Sequence, residues 1–308
     1  MKRKMIYIVN PVSGISSKDA IQNVIAAETL RSGIPFQFFP SVANGDYAFL
    51  KDTILESSIT DIIIVGGDGT VSQVVDSLMD MPVQFGIIPS GSGNGLAFGA
   101  GIPKTAKKAL AVVFSNFAAA VDGFRVNKSF ACMLCGVGFD AKVAHDFSEA
   151  GQRGLSTYVK KVFSNFLTAK TYSFKIKLNH KTFLTDAYFI SIANSNQFGN
   201  NFTIAPKARL NDGMVDVVIV TDQSKLTMLY NTMIQVGGLN DLQKKENIDE
   251  NKSVIYFQTN EIGISNYDEA PLHIDGEPVP TAKKLQIEVV PSCFKLLMPQ
   301  TNEHAGSR

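Results

Sequence analysis

The run Asp61-Ile-Ile-Ile-Val-Gly-Gly-Asp-Gly-Thr70 most narrows what this chain can fold into. Four successive Ile and Val residues suit a strand covered on both faces of a parallel sheet. Gly66, Gly67 and Gly69 then let the backbone turn sharply and bring its N–H groups close to an anion. Val71, Val74, Val75 and Leu78 follow with i, i+3, i+4, i+7 spacing, so the turn opens onto a helix N-terminus. Strand, glycine turn and helix start together make a phosphate site. Asp68, in the middle of the turn, suits either holding Mg²⁺ or accepting a proton beside the phosphates. The plainer alternative is a partner for the helix dipole.

The layout recurs. Phe85 to Ile88 reads as a short apolar strand, and Pro89-Ser-Gly-Ser-Gly-Asn-Gly95 after it is dense in turn residues. Ser90, Ser92 and Asn94 add side-chain donors to the amides of Gly91, Gly93 and Gly95. The first strand, Met5 to Val9, also ends in such a loop, Asn10-Pro-Val-Ser-Gly14, with Ser16, Ser17 and Lys18 behind it. In a doubly wound sheet the carboxyl ends of the strands lie together and ligands bind there, so three such loops describe a nucleotide site. Neither familiar phosphate fingerprint is present. GxxxxGK[ST] is absent, and Gly91-Ser-Gly-Asn-Gly-Leu96 has the wrong final spacing for GxGxxG and no acidic residue at the expected distance.

Up to about residue 122 strands alternate with helices, which means a parallel sheet with helices on both faces. Beyond it strands dominate. Tyr172, Phe174, Ile176 and Leu178 alternate with polar partners, and further strands are expected over 186–193, 214–220, 254–259, 261–265 and 285–290. Helices are expected over 156–168 and 225–236. The division is an α/β domain over 1–122, a β-rich domain over 123–300 and a loose tail over 301–308. A length of 308 residues suits two domains, and 45% hydrophobic with 19% charged residues supplies an ordinary core. A net charge of +1 gives no electrostatic case for nucleic acid. Three cysteines exclude a disulfide framework and favour a reducing compartment. Cys132 and Cys135 lack the second pair of a zinc site, and Phe130 to Gly136 reads as core strand. No run reaches the roughly 20 apolar residues that span a bilayer. Asn10-Pro11 ends the apolar N-terminal stretch too soon for a signal peptide. The expectation is a cytoplasmic protein that at most touches a membrane surface.

Two further carboxylate groups stand out. His273-Ile-Asp-Gly-Glu277 ends a strand in a turn that presents Glu277, a rival to Asp68 for the role of base; a simple β-turn is the alternative. Asp212-Gly-Met-Val-Asp216 sets two carboxylates four apart across a glycine turn, a spacing that suits Mg²⁺ or Ca²⁺ with a carbonyl such as that of Met214. Turn capping by Asp212 and a surface position for Asp216 is the alternative. His145, His180 and His273 are isolated and take no catalytic role.

Gly66-Gly-Asp-Gly-Thr70, Pro89 to Asn94, Asn10 to Gly14, Gly136-Val-Gly-Phe-Asp140, Asp212 to Asp216 and Asp275-Gly-Glu277 occur in one order. With them the chain resembles the diacylglycerol kinase catalytic domain family, which includes bacterial lipid kinases, sphingosine kinases and ceramide kinases. The first element alone is shared with NAD kinases and phosphofructokinases. The resemblance implies a Rossmann-like, NAD-kinase-like N-terminal α/β domain followed by an antiparallel β-sandwich. It implies transfer of the γ-phosphate of ATP, with Mg²⁺, to the hydroxyl of a lipid alcohol of diacylglycerol or sphingoid-base type. Asp68 would lie nearer the phosphates and Glu277 nearer the lipid hydroxyl. Nucleotide contacts would come from Asn10, Pro11, Ser13, Gly14, Lys18, Gly66, Gly67, Gly69, Thr70, Ser90, Gly91, Ser92, Gly93, Asn94 and Gly276, with Arg153 from a segment that supplies a phosphate-binding arginine in the family. Bacterial relatives carry a structural Mg²⁺ at the motif of Asp212, Met214 and Asp216. The acceptor pocket would lie in the β-rich domain, with transient peripheral contact at the inner membrane surface. The amphipathic stretch 158–167 suits such contact or packing on its own domain. Two alternatives stand beside this one: an NAD kinase, whose expected Asn-Glu pair occurs only at Asn302-Glu303 in the tail, and a catalytically silent nucleotide- or lipid-binding regulator. The sequence is compatible with a homodimer and does not fix an oligomeric state.

Overall fold

The computed structural model describes residues 2–11, 18–139, 170–179, 181–197, 204–221, 234–235 and 238–300. Its contacts divide the chain into two compact units, Met1–Val121 with Ser292–Arg308, and Asp122–Pro291.

The first unit runs β1 (Met5–Val9), α1 (Lys18–Arg31), β2 (Phe36–Pro40), α2 (Lys51–Glu56), β3 (Asp61–Gly66), α3 (Asp68–Leu78), β4 (Gln84–Pro89), α4 (Gly95–Gly99) and α5 (Ala106–Ser115). The strands lie in the order β2-β1-β3-β4, all parallel. Both β1 and β3 are buried along their whole length, as near-continuous apolar runs require in a sheet covered on two sides. Leaving β1, the chain goes first to one side and then to the other, so the strand order reverses between β1 and β3. That reversal is a topological switch point, where a crevice opens at the carboxyl ends. The opposite end of β3 is fixed by a buried ion pair: Asp61, fully buried, accepts from Arg3 Nη2 at 2.6 Å and Nε at 3.1 Å. In α3, Val71, Val74, Val75 and Leu78 are buried, which is the face the spacing predicts.

The second unit is strand-built: the end of β5 (Ala118–Val126), β6 (Ser129–Ala131), β7 (Leu134–Gly138), β8 (Tyr172–Leu178), β9 (Lys181–Ala193), β10 (Val215–Thr221), β11 (Val254–Thr259), β12 (Glu261–Asn266), β13 (Leu272–Ile274), β14 (Glu277–Val279) and the start of β15 (Lys284–Leu297). Its ladders are antiparallel. The first half of β9 pairs with β8, and its last five residues pair with both β7 and β10. In β8, Tyr172, Phe174, Ile176 and Leu178 are buried while Lys175 and Lys177 are exposed, the expected alternation. Phe174, Ile176, Ile192, Val217, Phe257, Ile264 and Ile287 belong to one apolar core. The architecture is thus an α/β unit and an antiparallel β-sandwich.

One expected strand is divided. Phe130 to Gly136 is broken at Cys132 and Met133, because their N–H groups leave the ladder for the carboxylate of Asp275. Cys132 and Cys135 are buried, as a core segment requires. The helix expected over 156–168 and most of that over 225–236 lie outside the described residues, as do Asn302 and Glu303. Among the described residues no helix is long and apolar enough to cross a membrane.

Candidate active site

Three strand ends meet over the switch point. Asn10, just past β1, donates its N–H to Val65 O at 3.0 Å and its Nδ2 to Thr70 Oγ1 at 2.8 Å. Ser90, just past β4, donates its N–H to Gly66 O at 3.0 Å. The first glycine turn is tighter than the sequence suggests. Gly66 is still in β3, Gly67 is extended (φ −104°, ψ −176°), and α3 begins at Asp68. These glycines are needed for space. A Cβ placed on Gly91 would lie 2.5 Å from Gly67 Cα, and one on Gly67 would lie 3.1 Å from Gly91 Cα, so the two turns touch backbone to backbone. Neither has a positive φ; the left-handed residue in this loop is Asn94, at φ 60°. Its amide closes the second turn on both sides, Oδ1 accepting from Gly91 N and Nδ2 donating to Gly91 O, each at 2.8 Å.

Asp68 ties the turns together. It is 8% exposed, and its carboxylate accepts from Gly95 N at 2.8 Å and Leu96 N at 3.0 Å. Those are the first two residues of α4, whose N–H groups have no partner within the helix. One carboxylate therefore stands in the first turn of α3 and caps α4, a negative charge where two helix dipoles favour it. The unit brings together Asn10, Gly66, Gly67, Asp68, Gly69, Thr70, Ser90, Gly91 and Asn94, with Pro11, Ser92 and Gly93 in the same connecting segments. Lys18 opens α1. Ser13, Gly14, Arg153 and the Lys18 side chain lie outside the described residues.

In the second unit, β13 and β14 form a hairpin across Asp275 (φ +49°) and Gly276 (φ +82°), with Ile274 opposite Glu277. Two positive φ values in a two-residue loop match a type I′ turn, for which Asp-Gly is a preferred pair. Glu277 is exposed at the turn. Asp275, by contrast, is 5% exposed, and its carboxylate accepts from Cys132 N at 3.2 Å, Met133 N at 3.0 Å and Leu134 N at 2.8 Å. The sequence placed Asp275 in a motif with Glu277 but gave it no role of its own; the available signal was an Asp-Gly pair between the short strands Leu272–Ile274 and Glu277–Val279.

The acids of Asp212 to Asp216 sit elsewhere in the same unit. Asp216 is 1% exposed on β10, which rules out the surface position considered for it. Tyr256 Oη donates to its Oδ1 at 2.5 Å and Gln258 Nε2 to its Oδ2 at 3.0 Å. Gln258 Nε2 also reaches Asp212 Oδ2 at 3.3 Å, and Asp212 Oδ1 accepts from Met214 N at 3.1 Å, so Asp212 does cap the turn. Asp122, which the sequence did not single out, accepts from Gly213 N at 2.7 Å. Burial pushes the Asp216 carboxyl up to about 6, with Tyr256 and Gln258 opposing and Asp212 adding to the rise. Burial also raises Asp212, with the Met214 N–H opposing and Asp122 adding. Asp122 adds to the rise of Asp212 and Asp212 to that of Asp216, and carboxylate oxygens are hard donors of the kind Mg²⁺ and Ca²⁺ take. Among the described residues no three His, Cys, Asp or Glu side chains are arranged to hold a metal ion by themselves, so main-chain and water oxygens would have to complete a shell.

Residues 4–126 match the model of the diacylglycerol kinase catalytic domain, and residues 134–298 match that of the YegS C-terminal NAD kinase beta sandwich-like domain. A Shewanella frigidimarina protein named "probable lipid kinase YegS-like" is 27% identical over 263 residues, covering 82% of this chain and 80% of its own. A Shigella flexneri protein named "probable lipid kinase YegS" is 26% identical over 264 residues, covering 83% of each. Among solved structures, a Bacillus anthracis chain is similar with a TM-score of 0.76 at 21% identity, over 97% of this chain and 98% of that one. A second from the same organism, described as a diacylglycerol kinase, has a TM-score of 0.71 at 18% identity, over 96% and 97%. At that identity the likeness of the structures speaks to the fold alone.

Proposed function

Because the chain belongs to the family that joins a diacylglycerol kinase catalytic domain to a YegS-type β-sandwich, we propose that it transfers the γ-phosphate of ATP to the hydroxyl of a lipid alcohol. The acceptor class is of diacylglycerol or sphingoid-base type, reached by transient contact with a membrane surface. The reading rests on the contact of Gly67 with Gly91, which joins the turns after β3 and β4 beside the switch point.

Phosphoryl transfer is mostly positioning and charge neutralisation. The first turn of α3 and the turn over 90–94 offer main-chain dipoles to phosphate oxygens. The glycine contact sets the distance between those two donors, and Asp68 holds α4 to the first turn, so both are fixed before nucleotide arrives. Asn10 ties the end of β1 to Thr70. Mg²⁺ bound with the nucleotide supplies the charge neutralisation that phosphoryl transfer needs. Glu277, exposed on its turn, receives the proton of the acceptor hydroxyl. A second, structural Mg²⁺ suits Asp212, Asp216 and the main-chain oxygen of Met214, where it would offset the repulsion between an exposed and a buried acid.

The test is transfer of labelled γ-phosphate from Mg-ATP, with diacylglycerol, sphingosine, ceramide and NAD offered in parallel and the lipids in mixed micelles. Label in one lipid, lost in Asp68→Ala and Glu277→Ala, is the expected outcome. Label in NAD alone would assign the same phosphate site to a different acceptor, and no transfer with ATP still bound would favour a regulator.

A further inference from the structure

The two acids of Asp275-Gly-Glu277 are two residues apart and have opposite environments. Asp275 is buried and Glu277 is exposed. The Asp275 carboxylate lies on the break between β6 and β7, where Cys132 and Met133 leave the ladder, and it accepts the N–H groups of Cys132, Met133 and Leu134. Its own N–H donates to Leu134 O at 2.8 Å. Asp275 is thus bound to β7 by main chain and side chain together, while its left-handed φ of +49° and that of Gly276 at +82° set the direction in which the chain leaves. The next residue is Glu277. A carboxylate spread over three buried main-chain donors has little capacity left to receive a substrate proton. Losing it would leave three N–H groups short of a partner, and that makes it an anchor.

We propose that Asp275 is a positioning residue, whose anchorage on Cys132–Leu134 holds the turn that presents Glu277. The inference rests on the lipid-kinase reading, with Glu277 as the base, and adds to it a division of labour between neighbouring acids. Asp275 acts only through Glu277. A misplacement near 1 Å from a group away from the chemistry lowers rates on the order of 100-fold, and the loss here falls on kcat.

The experiment is a double-mutant cycle on the full chain, measuring lipid phosphorylation with Mg-ATP for wild type, Asp275→Asn, Glu277→Gln and the double variant. Asparagine can keep two of the three bonds, because Oδ1 accepts from both Met133 and Leu134. Asp275→Asn is expected to lower kcat about 10- to 100-fold with the KM for ATP unchanged, and to lower it less than about 3-fold when Glu277 is already Gln. Amide hydrogen exchange at Cys132, Met133 and Leu134 is expected to quicken in the same variant, a readout that needs no activity. An equal loss in both backgrounds would overturn the inference, since Asp275 would then act on its own. No loss in the wild-type background would overturn it too. Gly276→Ala, which disturbs the turn and leaves the carboxylate in place, repeats the cycle should Asp275→Asn fold poorly. If Glu277→Gln is as active as wild type, the base assignment falls and the inference with it. If Glu277→Gln keeps only a small residual activity and Asp275→Asn lowers that residue by the same factor as in wild type, the lipid-kinase reading stands and only the anchor is lost.

Discussion

The glycine turns of the two units are built on different physics. In the α/β unit Gly67 and Gly91 have ordinary negative φ values and are needed because two backbones touch. In the β-sandwich Gly213 (φ +72°) and Gly276 (φ +82°) have nothing within 4 Å of a would-be Cβ and are needed for their dihedral angles. Each pair comes with a carboxylate that binds main-chain N–H groups: Asp68 on α4, Asp275 on β7. The first design joins two loops at the carboxyl edge of the parallel strands, and any added atom pushes them apart. The second steers the chain through a turn, the β13–β14 hairpin at Gly276 and the entry to β10 at Gly213, and side-chain volume there is free.

The two kinds of turn differ most at Gly91. Gly91→Ala puts a methyl 2.5 Å from Gly67 Cα, and backbone cannot give way as a flexible side chain would. The expected outcome is a fall in stability at the upper end of overpacking, about 3 kcal/mol. A rise of about tenfold in the KM for Mg-ATP should accompany it, as the loops separate. A urea midpoint and a steady-state titration check both, and a variant with wild-type KM would show that the contact does not set the nucleotide site.

Asp68→Ala comes next. It leaves Gly95 N and Leu96 N without their carboxylate in a buried place, at about 1–3 kcal/mol for such a loss. Asp68→Asn keeps one acceptor and should lie between. If the two variants fall equally in activity while Asn keeps most of the stability, the charge of Asp68 is needed for more than capping.

The acids of the second unit give the third test. The Asp216 carboxyl, raised from 3.8 to about 6, holds its proton more tightly in the folded chain than in the unfolded one. Its contribution therefore favours the fold below about pH 4 and is lost as pH rises through about 6, a difference of about 2–3 kcal/mol. Asp216→Asn keeps the acceptor for Tyr256, and Gln258 can turn its amide to offer oxygen. The variant should be more stable than wild type above about pH 6, by about 1–3 kcal/mol in urea melts without divalent ions. Millimolar Mg²⁺ should stabilise wild type at pH 7.5 and leave the variant unmoved. An equal response of both would remove Asp216 from the metal reading.

Local order was legible in the residues because its causes are short-range. Strand, turn and helix over Asp61–Leu78 follow from apolar runs and spacing, and three such loops on one edge foretold the switch point. The partners of the carboxylates were not legible. Asp68 finds α4 27 residues on, and Asp275 reaches the amides of 132–134 across more than 140 residues, which no periodicity records. The broken strand at Cys132 went unseen for the same reason, since its cause sits in the hairpin. Burial of Asp216 was readable in principle. An acid inside Val215-Asp-Val-Val-Ile-Val220 lies in a run apolar on both faces, and such a run is covered on both sides.

One side chain placed in both kinds of turn tells them apart most cleanly. Asparagine tolerates the left-handed region better than other side chains, because its amide can bond locally, so it separates the need for a dihedral angle from the need for space. At Gly213 the added side chain meets open room, and the N–H that Asp122 accepts remains. Gly213→Asn should therefore change stability by no more than about 0.5 kcal/mol. At Gly91 the same side chain runs into Gly67, and its tolerance of positive φ is of no use where φ is not positive. Paired urea melts of Gly213→Asn and Gly91→Asn measure the contrast directly. Equal losses would mean that crowding governs both turns and that the β-sandwich turns are as tightly built as the phosphate loops. A neutral Gly213→Asn beside a crippled Gly91→Asn would leave the room around each turn as the difference, because both variants carry the same side chain.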